Sequence, residues 1–201
     1  MIPLEAAGGS WRGDPWLIAA KAFSPCYIGG WSACEHWGLT DQLFRDVLVV
    51  SAHRVRDRHP VIQDTTFTVK VVAADSFFGT RAVWREETRV LVSDPSRTVV
   101  DLLADPALGG GIRHVAEVLV AYLAGDLRND AALLDYCARL GNRAVYKRLG
   151  YLIESLDLEA PEVVATCLER ESSGFSLLAP RRPARGPFMR RWNLRLNAQV
   201  V

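Results

Sequence analysis

No apolar run in the chain approaches the roughly 18 residues that a membrane-spanning helix needs, so no membrane span and no membrane partner are expected. The first ten residues carry Glu5 and no basic residue, which does not fit the charged start of a secretory leader. Cysteine is sparse. Cys26, Cys34, Cys137 and Cys167 are scattered through 201 residues, a length that can bury a core without staples. Reduced thiols in a cytoplasmic protein are the expectation. Lysine is scarcer still: Lys21, Lys70 and Lys147 stand against 21 arginines. A GC-rich coding sequence produces such a bias, and the planar arginine fork suits carboxylate or phosphate contacts.

Net charge is also lacking. Twenty-four basic residues balance 23 acidic ones to +1, which excludes a chain that coats nucleic acid along its whole length. The neutrality is a cancellation. Residues 1–100 carry 11 groups of each sign, and residues 101–175 carry 7 basic against 12 acidic. Residues 176–201 carry six arginines and no acid. The 49% hydrophobic and 23% charged fractions are those of a globular chain and exclude wholesale disorder.

Periodicity changes near residue 94. Before it, Asp14-Pro15 opens a helix to Ala22, and Ser24-Pro25 breaks it. Gly29-Gly30 opens a second helix, Trp31 to Trp37, closed by Gly38. Asp46–His53 and the alternating Thr66–Ala73 predict strands, and Arg81–Trp84 with Arg89–Val92 predicts a hairpin. After it, Asp94-Pro95 starts a helix that Pro106 stops. Further helices are expected after Gly109–Gly111, over Asp130–Leu140, from Asn142, and from Pro161 to about Arg170. Phe175–Leu178 and Arg191–Leu196 predict two closing strands, the second returning to the first-half sheet. The expected class is α+β: a β-rich mixed region 1–93 and a helical region 94–201, forming one unit.

Complete catalytic sets are missing. Cys34 and His36 are two apart on a helix, and no second pair such as C-x-x-C supplies further metal ligands. Gly29–Ala33 lacks the second glycine of a nucleophile elbow. Gly109–Gly111 is followed by Ile112-Arg113 rather than Lys-Ser, so it is no phosphate loop, although free N–H groups there could meet an anion. Asp64 precedes Thr68-Val69-Lys70, a nuclease-like spacing without its second acid. Gly9-Ser10 is followed by no Asp-x-Asp of a nucleotidyltransferase. No enzyme activity, metal or cofactor is expected.

What remains is surface. Residues 180–191 (PRRPARGPFMRR) interleave five arginines with three prolines, Gly186, Phe188 and Met189, beside Trp192. Proline and glycine keep this stretch out of helix. Arginines among aromatics can track phosphates and stack on bases, meet an acidic protein, or pair with the chain's own acidic helices. The contact candidates are Arg181, Arg182, Arg185, Arg190, Arg191 and Arg195. A second patch, Tyr146, Lys147 and Arg148, is expected on the polar side of the helix opening at Asn142.

Several stretches, in order, resemble one family. Pro25–Ala33 with His36–Thr40 is similar to the tyrosine, serine-alanine and glycine-leucine-threonine helix of the AbiEi antitoxins. These are the antitoxin halves of type IV, abortive-infection toxin–antitoxin pairs. Val92–Asp101 resembles the family's S-D-P-x-R-T helix start, Arg148–Leu152 its R-L-G-Y-L helix, and Arg191–Asn197 its terminal strand. The resemblance spans about residues 10–197. It implies a cytoplasmic protein that counters a nucleotidyltransferase-type toxin, with operator DNA as a further partner through autorepression. That repression belongs to an N-terminal winged helix-turn-helix, and only about ten residues precede the matched region, so no complete one is expected here. Trp31–Trp37, Gly38 and residues 41–45 echo a helix-turn-helix, but residues 41–45 are too short for a recognition helix. A defence-associated nuclease is a further alternative.

Overall fold

A computed structural model describes residues 13–200 of the 201; the first ten residues, Glu5 and Gly9-Ser10 among them, lie outside the described ones. Asp14 caps the first helix, α1 (Pro15–Ala22), by accepting the Trp16 amide at 2.8 Å. Strand β1 (Cys26–Ile28) follows at once, where the sequence pattern had no strand, and leads into helix α2 (Gly30–His36). Gly38, at φ +66°, turns the chain after it. Strands β2 (Val47–Ser51), β3 (Val61–Ile62) and β4 (Thr65–Val71) come next. The β3–β4 turn is Gln63-Asp64, both at positive φ, the geometry that matches strand twist in a two-residue hairpin. The expected second hairpin forms from β5 (Thr80–Arg85) and β6 (Thr88–Ser93).

The six strands make one mixed sheet in the order β3-β4-β2-β1-β6-β5. In central β2, Leu48 and Val50 face one side and Val49 the other, so its apolar run reads as a strand covered on both faces. One face packs on α1 through Ala19, Phe23, Ile28, Val49, Phe67 and Val69. The other packs on the helical half.

That half consists of α3 (Pro95–Ala104), α4 (Ile112–Ala124), α5 (Asp130–Leu140), α6 (Ala144–Ser155) and α7 (Pro161–Arg170), with a 3₁₀ turn at Pro106–Gly109. The apolar stripes of helical period are buried, Ile112, Val115, Leu119 and Tyr122 on α4 and Val145, Leu149, Leu152 and Ile153 on α6, whereas Leu156, next in the α6 stripe, is only partly buried. Tyr27, Leu48 and Val50 join the same core, so regions 1–93 and 94–201 share it. Cys34, Cys137 and Cys167 are fully buried free thiols, and burial pushes Cys34 and Cys137 up to about 12. The fold is α+β.

The last strand departs from the expected course. It does not return to the large sheet. Strands β7 (Ser176–Leu177), β8 (Phe188–Met189) and β9 (Leu194–Arg195) form their own three-stranded sheet, ordered β7-β9-β8. Residues Arg190–Trp192 form a 3₁₀ turn rather than strand, and Asn193 takes a left-handed conformation at φ +43° that suits asparagine. This small sheet covers α6. The fully buried Trp192 indole packs against Gly150, where any side chain would occupy its place.

Candidate functional site

Tyr146, Lys147 and Arg148 are not a surface patch. All three are buried, at 4%, 0% and 3% exposure. The small sheet and α3 lie over the side of α6 that its sequence marks as polar. The Lys147 ammonium donates to the Gly174 carbonyl and, at 3.4 Å, to Ser176 Oγ; burial lowers its pKa, and Glu171 opposes that. Arg148 donates to Leu103 O at 2.7 Å, Ala104 O at 3.3 Å and Leu177 O at 2.9 Å. One guanidinium thus satisfies the open carbonyl end of α3 and fastens it to β7. Burial pushes Arg148 down to about 10, against the pull of Asp105, and it stays charged at neutral pH. Tyr146 is a core residue beside Arg170.

The six C-terminal arginines divide. Arg191 forms a forked contact with Glu154, at 2.6 and 2.9 Å, and Trp192 Nε1 donates to the same carboxylate at 2.7 Å. Arg181 pairs with Asp105 at 2.9 Å. These two answer the acidic helical block within the chain itself. Arg195 lies 5.0 Å from the Phe188 ring centroid and donates to Gly186 O at 3.4 Å. Arg182, Arg185 and Arg190 are exposed and make no ion pair within 4.0 Å among the described residues.

Arg181, Arg182 and Arg185 converge on a groove of about 1310 Å³ between the 179–187 loop, the start of α4 and the 196–200 segment. Gly110 and Gly111 bring the opening turn of α4, with Arg113, to the opposite wall, and Tyr151 and Ser155 add hydroxyls. No aspartate or glutamate lines it. The glycine run and the arginine segment, separate features of the sequence, thus meet in space. Asn197, which sequence reasoning did not single out, positions the loop. Its side chain accepts from Ala179 N at 2.9 Å and donates to Ala179 O at 2.8 Å, Pro183 O at 3.2 Å and Arg182 O at 3.3 Å. Gly186, at φ +109°, passes so close to Leu196 O that a Cβ would collide with it.

The motif residues of the sequence resemblance form a different, internal network. Arg97 Nε donates to Asp101 Oδ1 at 2.9 Å, and Tyr27 donates to Asp101 Oδ2 at 3.0 Å. Arg97 also reaches Phe78 O at 3.2 Å and lies 3.9 Å from the Phe78 ring centroid. Asp94 caps α3 through the Arg97 amide at 2.8 Å and accepts from Tyr136 Oη at 2.8 Å. Ser32 Oγ accepts from Leu48 N at 2.9 Å, and Thr40 Oγ1 meets His114 Nε2 at 2.7 Å. Lys70, on the face of β4 opposite Phe67 and Val69, borders a smaller cavity of about 220 Å³ beside Asp101 and Tyr27. Burial pushes the Tyr27 phenol well above its ordinary value, with Asp101 adding to the rise. Asp64 is committed to the β3–β4 turn, leaving Asp101 as the acid of that cavity. Among the described residues no group of three His, Cys, Asp or Glu could hold a metal ion, and no helix is long and apolar enough to cross a membrane.

In fold, the chain is similar to the crystal structure of the RV2827C protein from Mycobacterium tuberculosis. The TM-score is 0.61 over 91% of this chain and 68% of that one, at 15% sequence identity. No protein-family model matches the chain, and no curated protein does.

Proposed function

We propose that the chain is the antitoxin of a type IV, abortive-infection toxin–antitoxin pair, a cytoplasmic, non-enzymatic protein that counters a nucleotidyltransferase-type toxin. The observation that carries this reading is the ordered series of AbiEi-like motifs. Their residues are not scattered over the surface. Tyr27, Asp94, Arg97 and Asp101 interlock in one buried network, and Gly150 and Trp192 pack against each other in another contact. Such residues are hard to replace singly, so their joint presence supports kinship of fold more than any one motif does. The exposed arginines of the groove are the contact candidates on that scaffold.

The autorepressor alternative has less support. Residues 41–45 form no helix, so α2 has no recognition helix behind it to enter a major groove. Of the arginines without an ion pair among the described residues, Arg182 and Arg185 sit on a loop and Arg190 on a 3₁₀ turn.

The reading is tested by inducing a neighbouring nucleotidyltransferase gene alone and together with this chain. Restored growth on co-expression is the expected result. Growth arrest that persists while the chain accumulates in soluble form overturns it.

A further inference from the structure

We propose that the arginine groove and the aromatic pair beside it together bind single-stranded nucleic acid, an activity that does not depend on the antitoxin reading. The groove places Arg113, Arg181, Arg182 and Arg185 around one concave surface with no carboxylate in its lining, in a protein whose net charge is only +1. Among the described residues, Arg181 is the one of the four that forms an ion pair, with Asp105. Planar guanidiniums pair with phosphate oxygens through two parallel N–H bonds.

The groove does not end at its rim. Gly186 and Pro187 line it, the Arg195 guanidinium reaches Gly186 O, and the same guanidinium lies over the Phe188 ring. Phe188 in turn meets Phe175 edge-on, with ring centroids 4.6 Å apart. Both rings are about half exposed, at 56% and 52%. Half-exposed rings keep a face open for stacking, which the charge of an acidic peptide alone would leave unused. One polymer offers both chemistries: a phosphodiester chain with unpaired base faces. A duplex hides those faces in its stack.

The test is fluorescence anisotropy on the full chain with labelled single strands of about 16 nucleotides, RNA and DNA, and the same DNA as duplex. Binding to single strands should exceed binding to duplex and weaken steeply between about 50 and 200 mM salt. The RNA and DNA arms identify which strand is preferred. Replacing Arg181, Arg182 and Arg185 with Ala should cut affinity at least about tenfold and lower the salt slope by about 2. Phe175→Leu and Phe188→Leu keep apolar bulk for folding but remove the ring; they should weaken binding about fivefold or more and leave the slope unchanged. Absence of single-strand binding at low salt overturns the proposal. So does binding that the arginine variant retains, or a duplex preference indifferent to both phenylalanines.

Discussion

Gly150 and Trp192 lie 42 positions apart and occupy one space. Gly150→Ala drives a methyl into the indole, so the small sheet must shift or Trp192 must leave its pocket. The expected loss is about 1–3 kcal/mol, read by urea denaturation. Asp101 sits under a comparable constraint. Asp101→Asn removes the charge that compensates fully buried Arg97, and the cost of breaking such a pair is about 3–5 kcal/mol. Glu154 adds a pH dependence. Hydrogen bonds from Arg191 and Trp192 hold its carboxyl below the usual range, against a smaller opposing effect of burial. The depressed value means that this contact stabilises the fold above the ordinary carboxylate pKa and is lost as pH falls through the folded-state value. Glu154→Gln should flatten the acid limb of a stability-against-pH curve measured by thermal unfolding.

Among the elements, legibility followed locality. Helices α1 and α3 were readable because Asp14-Pro15 and Asp94-Pro95 carry their capping chemistry within a few residues. Strand β1 was not. Three residues between a proline and a glycine pair hold no period, and they are strand only because β2 and β6 flank them. Lys147 and Arg148 misled for the same reason. Charge on a helix marks solvent unless a distant segment covers it, and the cover here comes from residues about 30 to 45 positions away. The groove was half legible: the arginine run stood out, whereas its meeting with Gly110-Gly111 and Arg113 is a property of the tertiary fold. The small sheet is accordingly part of the core. Truncation after Gly174 would remove the buried Leu178, Trp192 and Leu194, about 1.5–3 kcal/mol each, and leave Arg148 without Leu177 O and Lys147 without Ser176 Oγ. Such a fragment should not unfold cooperatively in a thermal melt.

For the whole molecule, a net charge of +1 conceals an acidic helical block that recruits only part of the arginine-rich end. Arg181 and Arg191 are held by Asp105 and Glu154; Arg182, Arg185 and Arg190 are left to solvent. The C-terminal segment therefore divides into residues that hold the fold and residues that face solvent and are open to a partner. Arg191, Trp192 and Asn197 belong to the first group; Arg182 and Arg185 belong to the second, with Arg181, whose exposed pair with Asp105 adds little stability. Surface substitutions of the second kind usually change stability by less than about 0.5 kcal/mol, which for a chain of this size is about 2 °C or less in Tm. The decisive measurement pairs thermal unfolding with single-strand binding for the variant in which Arg181, Arg182 and Arg185 are all alanine. The account predicts an unchanged Tm and lost binding; a lowered Tm with binding retained would show that these arginines serve the fold instead.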